Sequence, residues 1–200
     1  MPNQVTGLIL AGGRATRMGE VNKGAQYLGD ISLFDAMVKN VSQQVGRIVV
    51  SANTYADFYK EKGFPVIEDD REGFLGPLSG IESVLKHTPE IEWLFCTPVD
   101  TPFIPEDLVD TLYQYALNTK SAAVFPTHDG FCEPLHCLVH RSLLPSLTEF
   151  LDSGERSVGF WLRGVAKPVE IEVSELSFAN INTIEELKQF SKQEAADHGQ

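Results

Sequence analysis

The chain has 200 residues, with 16 Lys+Arg against 28 Asp+Glu and a net charge of −12. At 42% hydrophobic and 22% charged, it can bury a core, and the length suits one domain or two small ones. The acidic balance excludes sequence-independent binding along DNA or RNA, which needs a basic face. No apolar run approaches the ~20 residues that cross a bilayer, so neither a nucleic acid nor a membrane is expected as a partner. The opening residues Met1-Pro2-Asn3-Gln4 lack the basic and long apolar regions of a signal peptide. The three cysteines, Cys96, Cys132 and Cys137, are an odd, sparse set and not a disulfide framework. A cytoplasmic protein is the expectation. Charge is uneven: within the first 24 residues, Arg14, Arg17 and Lys23 face only Glu20, a small positive island suited to an anionic ligand.

In chain order, Val5 to Leu10 is a short apolar run ending in glycines, read as a buried strand. Ser32 to Gln44 has helical apolar spacing with Ser32 as its N-cap. Arg47 to Ser51 is strand-like, Thr54 to Lys62 a short helix stopped by Gly63, and Phe64 to Glu68 a third strand. Leu78 to His87 is a third helix with Pro77 near its start. Trp93 to Cys96 is a fourth strand, and Pro105 to Asn118 a helix. After Ala122 to Phe125 the rhythm loosens: Leu135 to Val139 and Val169 to Val173 look like strands of a less regular half. Thr183-Ile184-Glu185-Glu186 has capping-box spacing and predicts a terminal helix, and the polar residues 193–200 are expected to fray. Alternating strands and helices predict one α/β domain over residues 1–192, a parallel sheet covered by helices on both faces. Residues 1–120 form the regular half and 121–192 the irregular one. Without an exposed heptad or long apolar stripe, a monomer is expected.

In such sheets ligands bind beyond the carboxyl ends of the strands, which nominates residues 11–24, 51–54, 68–76 and 97–102. The first holds Gly12-Gly13, then Arg17 and Lys23. Paired glycines turn tightly and aim backbone amides outward, while Arg17 supplies a fork and Lys23 a point charge for phosphate oxygens. The pattern is neither Gly-x-Gly-x-x-Gly nor a P-loop; a plain strand-to-helix loop with surface cations is the blander alternative. Asp100, in Thr97-Pro98-Val99-Asp100-Thr101-Pro102, is a lone carboxylate after strand four. It suits a divalent metal shared with phosphate oxygens, since Mg²⁺ takes only one or two protein carboxylates, or it simply caps a helix. Glu68-Asp69-Asp70 offers acceptors for a base or ribose, or is a solvated turn. Ser51-Ala52-Asn53 offers groups that read base edges or cap the next helix. Cys132, His136, Cys137 and His140 have mixed strand parity, which disfavours zinc; buried thiols and solvent-edge histidines are expected there. No nucleophile-elbow setting occurs, which argues against covalent catalysis.

Leu10-Ala11-Gly12-Gly13 through Met18-Gly19, Lys23-Gly24 and Asp100-Thr101-Pro102 resemble the nucleotidyltransferase family that includes the molybdenum cofactor guanylyltransferases. The likeness spans nearly the whole chain, taking in Val49 to Asn53, Ile67-Glu68-Asp69, Gly76-Pro77-Leu78-Ser79-Gly80, Glu133-Pro134-Leu135 and Asn180-Ile181-Asn182-Thr183. It implies a three-layer α/β domain with a mostly parallel, Rossmann-like sheet of the nucleotide-diphospho-sugar transferase type. It implies GTP bound by Leu10, Ala11, Gly12, Gly13, Lys23, Ser51, Asn53, Asp69 and Asp100, with Mg²⁺ on Asp100. Asn180 and Asn182 lie toward the second substrate or the metal, with Arg156 as a further helper for the pterin phosphate. At position 51 the family pattern leads to Asn, and Ser keeps a donor and an acceptor but loses reach.

The reaction so implied is attack by the terminal phosphate of molybdopterin, or its molybdenum-bound form, on the α-phosphorus of GTP with loss of pyrophosphate. Arg17, Lys23 and Asp100 are its catalytic residues. Transient contact with cofactor-synthesis proteins or molybdoenzymes accompanies it. Two rivals remain open in the sequence. One is a cytidylyl or sugar-1-phosphate nucleotidyltransferase with the same loop and metal Asp. The other is a non-catalytic nucleotide-binding module.

Overall fold

The computed structural model describes residues 4–12, 22–73, 75–174 and 177–181. Within β1 (Val5–Leu10) every residue is buried, yet its two faces differ in what they meet. Val5 and Ile9 join one apolar cluster, Leu8 and Leu10 another, as strand alternation requires. A central parallel strand covered on both faces reads as an unbroken apolar run for this reason.

β1 pairs in parallel with β4 (Arg47–Ser51) on one side and β6 (Trp93–Pro98) on the other. The sheet runs β10 (Lys167–Glu170), β7 (Ala123–His128), β9 (Leu138–His140), β6, β1, β4, β5 (Val66–Ile67), with β8 (Phe131–Cys132) added to β7. β9 lies antiparallel between β6 and β7, so the sheet is mostly parallel rather than wholly so. On one face lie α1 (Leu33–Val41), α2 (Ala56–Glu61) and α4 (Leu108–Thr119), contributing Phe34, Met37, Tyr59, Leu108 and Leu112 to the first cluster. On the other lie α3 (Pro77–His87), α5 (Leu144–Asp152) and α6 (Val158–Val165), contributing Leu78, Ile81, Leu147 and Trp161 to the second. The three expected layers are present.

Local signals explain most boundaries. The Ser32 hydroxyl accepts from the Asp35 amide at 3.1 Å, the N-cap read from sequence, though α1 stops at Val41 and not Gln44. Pro77 opens α3, where its missing N–H costs nothing. Several expected elements are displaced: β5 is only Val66–Ile67, α4 starts three residues after Pro105, and β10 covers Lys167–Glu170. Five elements are additions, among them β8. The hairpin of β2 (Tyr27–Leu28) and β3 (Ile31–Ser32) turns through Gly29-Asp30, with Gly29 at φ 60°. In the second half, α5 buries Leu147 and Leu151. α6 buries Val158, Trp161 and Leu162 beneath a Ser157 cap. The terminal helix predicted from Thr183 and the tail 193–200 lie outside the described residues.

One glycine contact binds helix to strand. A Cβ on Gly80 in α3 would stand 2.3 Å from the Ser51 hydroxyl and 3.1 Å from its Cβ, so α3 meets the end of β4 without a side chain between.

Two buried polar groups set the pH response. Glu82 of α3 is fully buried and takes a two-pronged contact from Arg71, at 2.6 and 2.9 Å. Thr148 of α5 and Lys86 add 2.7 and 3.0 Å contacts. Chiefly through Arg71, its carboxyl is held down at about 2. His136, before β9, meets the Thr101 hydroxyl at 2.9 Å behind the loop after β6, and burial lowers its ring to about 3. The expectation of buried thiols and solvent-edge histidines is therefore corrected at two positions. Cys132, on the outlying two-residue strand β8, is exposed, and His136 is buried.

Both groups have folded values below their ordinary ones, so the unfolded chain takes up protons first and acid weakens the fold. Stability should fall in two stages, from about pH 6.5 through His136 and from about 4.5 through Glu82, starting at their ordinary values. Urea midpoints measured from pH 7.5 to 3.5 should lose the upper stage in His136→Gln and the lower in Glu82→Gln; unchanged profiles contradict the assignments. Gly80→Ala should cost about 1–3 kcal/mol through overpacking, with Ser51→Ala in the same chain recovering part of it, as read by chemical denaturation.

Candidate nucleotide site

The sheet reverses its order of growth at β1: the chain first adds β4 and β5 on one side, then β6 on the other. Ligand clefts form at the carboxyl ends of strands flanking such a point. Here the strand ends are level, since Leu10 pairs with Ser51 of β4 and with Pro98 of β6. The Val99 amide donates to the Leu10 carbonyl at 3.1 Å, and the Ala11 amide to Ser51 at 2.9 Å. A cleft of about 200 Å³ opens there, lined by Leu10, Ala11, Gly12, Lys23, Asp100 and Asn180, with Asn22, Thr54, Tyr55, Pro77, Pro98, Val99 and Leu135. A Cβ at Gly12 would meet only ordinary contacts, the nearest at 3.6 Å. Packing does not demand glycine there; what its absence of side chain provides is open approach to the backbone.

Lys23 reaches across this cleft, its ammonium 2.7 Å from Asp100 Oδ2, with the side chains 28% and 15% exposed. A short 3-10 turn, Lys23–Ala25, holds it. The Asn22 carboxamide oxygen accepts from the Gly24 amide at 3.0 Å and from the Tyr59 hydroxyl at 2.9 Å. Burial raises the Tyr59 hydroxyl above its ordinary range, so it stays a donor. A Cβ on Gly24 would lie 2.6 Å from that hydroxyl, which explains Lys23-Gly24. On the opposite wall, the Thr101 hydroxyl lies 3.1 Å from the Pro98 carbonyl, and the Ile181 amide donates to the Asp100 carbonyl at 2.8 Å. That last bond, with Ile181 buried against Leu33 and Ala36, brings Asn180 beside Asp100 although 80 positions separate them in sequence.

Beyond β4 and β5 sits a second polar group. Asn53 and Asp69 clasp each other: the Asn53 amide donates to Asp69 Oδ2 at 2.9 Å, and the Asp69 N–H to Asn53 Oδ1 at 2.7 Å. Burial raises the Asp69 carboxyl above its ordinary value, against the lowering effect of Asn53. Ser51 is buried beneath Gly80. Ser51, Asn53 and Asp69 thus form one cluster adjoining the cleft and are not among its lining residues.

The structure therefore gathers Leu10, Ala11, Gly12, Lys23, Asp100 and Asn180 on one cleft. Arg156 stands elsewhere, donating to the backbone carbonyls of Leu151 and Glu155 at the end of α5. Gly13, Arg17 and Asn182 lie outside the described residues. Asn22 and Thr54 fall within the nominated segments 11–24 and 51–54 but are not singled out from the sequence, although Asn22 carries a legible signal, a capping side chain one residue before Lys23; Tyr55 lies just outside those segments and carries none.

Among the described residues no cluster of three or more His, Cys, Asp or Glu is disposed to hold a metal ion. The donors that are present, the Asp100 carboxylate with the Asn180 carboxamide on the same cleft, are hard oxygen donors. They fit a divalent cation that completes its shell with water and phosphate.

The family model described as MobA-like NTP transferase domain matches residues 7–167. A molybdenum cofactor guanylyltransferase of Serratia proteamaculans is 36% identical over 187 residues, covering 93% of each chain. The crystal structure of molybdopterin-guanine dinucleotide biosynthesis protein A from Archaeoglobus fulgidus superposes with a TM-score of 0.78. It is 22% identical, over 96% of this chain and 99% of that one. A Mycobacterium tuberculosis protein, Rv0371C, in complex with manganese shares the fold at a TM-score of 0.65 and 12% identity, over 95% of this chain and 99% of that one. With its strand-end cleft, its Lys and Asp across that cleft, and these likenesses over most of its length, the chain belongs to the MobA-like NTP transferase family.

Proposed function

We propose that the chain transfers a guanylyl group from GTP to the terminal phosphate of molybdopterin, or of its molybdenum-bound form, releasing pyrophosphate. The observation that carries this reading is the Lys23 ammonium 2.7 Å from the Asp100 carboxylate, at the mouth of β1 and β6 beside the Leu10–Gly12 backbone. Relatives named for this activity support it.

The chemistry asks little of the protein beyond placement and charge. A phosphate monoester is largely dianionic near pH 7, with its second pKa at about 6, so its oxygen attacks the α-phosphorus without a strong base. The new O–P bond forms as the bond from the α-phosphorus to the bridging oxygen breaks, and that electron pair leaves with pyrophosphate. Lys23, with Arg17, meets the charge that develops on the leaving group. The Leu10–Gly12 backbone and Gly13 hold the nucleoside end, backed by the adjoining cluster of Ser51, Asn53 and Asp69, while Asn180 and Asn182 serve the pterin side; Arg156, turned to the carbonyls at the end of α5, takes no part. Asp100, with Asn180, would hold Mg²⁺, which when bound supplies Lewis-acid polarisation and charge neutralisation. The same reading places the reaction in the cytoplasm, in keeping with three unpaired thiols. Transient contact with the proteins that deliver the pterin or receive the product belongs to it too.

The first experiment is calorimetric titration with GTP, CTP and UTP, each with Mg²⁺. Clear preference for GTP is expected, followed by pyrophosphate release on adding molybdopterin; preference for CTP or UTP rejects the guanylyl assignment. Asp100→Ala should lower pyrophosphate release at least ~100-fold, the scale of losing a positioned charge-stabilising group, while its circular dichroism stays that of the parent. Near-normal turnover removes Asp100 from the site. Lys23→Ala should weaken GTP far more than guanosine in parallel titrations, and equal losses would make Lys23 a support of its own turn only.

A further inference from the structure

Residue 55 adopts a backbone conformation that its side chain does not suit. Tyr55 sits at φ 57°, ψ 26°, in the left-handed region, where a residue bearing a Cβ is strained. It also occupies the N-cap of α2, a place for Ser, Thr, Asp or Asn, and its side chain makes no capping bond. Gly or Asn would meet the backbone demand with less strain. Nor does the core hold the ring in place: Tyr55 is 48% exposed, whereas Tyr59, one turn along the same helix, is 1% exposed. The exposed ring instead lines the cleft shared with Gly12, Lys23 and Asp100. A left-handed backbone and an exposed aromatic ring on the wall of a cleft are features that mark ligand sites.

The fold also indicates which part of a nucleotide this ring would meet. The charged pair Lys23–Asp100 involves the loop after β6, on one side of β1. Tyr55 follows β4, on the other side, two residues beyond Asn53 and its Asp69 clasp. Phosphates drawn to Lys23 leave the nucleoside toward β4. We propose that Tyr55 is a positioning and specificity residue of the nucleotide site, its ring forming the wall against which the heterocyclic base of the bound nucleoside triphosphate lies. This inference rests on the guanylyl-transfer reading above. A tyrosine face stacks on any base but covers more of a purine than of a pyrimidine. The ring therefore strengthens binding and fixes the tilt of the base, and leaves the choice between guanine and adenine to hydrogen-bonding groups.

The test compares the parent chain with Tyr55→Phe, Tyr55→Ala and Tyr55→Gly, titrated with GTP, GMP and inorganic tripolyphosphate in the presence of Mg²⁺. Thermal unfolding is recorded for each. The Ala and Gly variants should lose about fivefold or more in affinity for GTP and GMP, the scale of one base stacked on an aromatic ring, and keep their affinity for tripolyphosphate. Phe should bind like the parent. Gly should melt at or above the parent, since the left-handed strain is relieved. Parent-like GTP binding by Tyr55→Ala, or equal losses for GTP and tripolyphosphate, overturns the proposal. So does a Gly variant that melts lower in step with its loss of affinity. A parent chain that binds neither GTP nor GMP rejects the guanylyl reading itself, and the inference with it. A parent chain that binds GTP and GMP, with Ala and Gly variants that bind them equally well, rejects the inference alone.

Discussion

The parallel register of β1 with its two neighbours is the constraint on which the site depends. Because Leu10 stands level with both Ser51 and Pro98, the loops after three strands leave the sheet at one edge. Each loop then needs only local features to present its groups. A slip of one residue would turn every β1 side chain to the opposite face. Gly7 opposes that slip: a Cβ there would stand 2.8 Å from Val41 of α1, so the helix rests against the strand at the one position without a side chain. Register, and with it the meeting of Gly12 and Asp100, is thus set in the core and not in the loops.

The loop after β5 is secured differently, since β5 contributes only two residues to the sheet. Arg71 grips Glu82 of α3 and also reaches Asp152 of α5 at 2.8 Å, while the Asp70 amide donates to the Ser83 hydroxyl at 2.8 Å. Buried ion pairs often contribute little net stability, because desolvation offsets the attraction. Their value here is positional. They fasten residues 70 and 71 to α3, and with them the adjoining Asp69 that clasps Asn53.

What the sequence made legible follows from how local each cause was. β1, the Ser32 cap, Pro77 at the head of α3 and the Lys23-Gly24 pair all rest on neighbours within a few positions. Leu10, Gly12, Lys23 and Asp100 were legible as site residues because strand ends in an α/β sheet are where ligands bind. The hairpin at Gly29-Asp30 and helices α5 and α6 carry local signals, a two-residue turn and apolar residues at spacings of three and four, but these are short and weak beside the strand–helix alternation that dominates residues 1–120. Other features were beyond sequence reasoning altogether. The tuck of Ser51 beneath Gly80 joins residues 29 positions apart. The antiparallel placement of β9 between β6 and β7 is decided by tertiary pairing, which no local pattern records. Tyr55 is the extreme case: neither its type nor its spacing predicts a left-handed backbone, which arises only where the end of β4 turns into α2.

The pairing of Lys23 with Asp100 bears on how such a cleft admits an anion at all. The chain carries a net charge of −12, and a bare carboxylate at Asp100 would repel phosphate at the point where the proposed reaction needs it. Held 2.7 Å from the ammonium, the carboxylate is locally neutralised, but so is the cation that phosphate would seek. Under the proposed reaction neither a divalent ion nor a triphosphate alone resolves this. An ion on Asp100 would draw the carboxylate away from Lys23, and a triphosphate on Lys23 would draw the ammonium away from Asp100. Each ligand supplies the partner that the other displaces, so the two favour one another's binding by the same factor in both directions, as thermodynamic linkage requires. Under that reaction the Lys23–Asp100 salt bridge would couple metal and nucleotide before any substrate phosphate is moved.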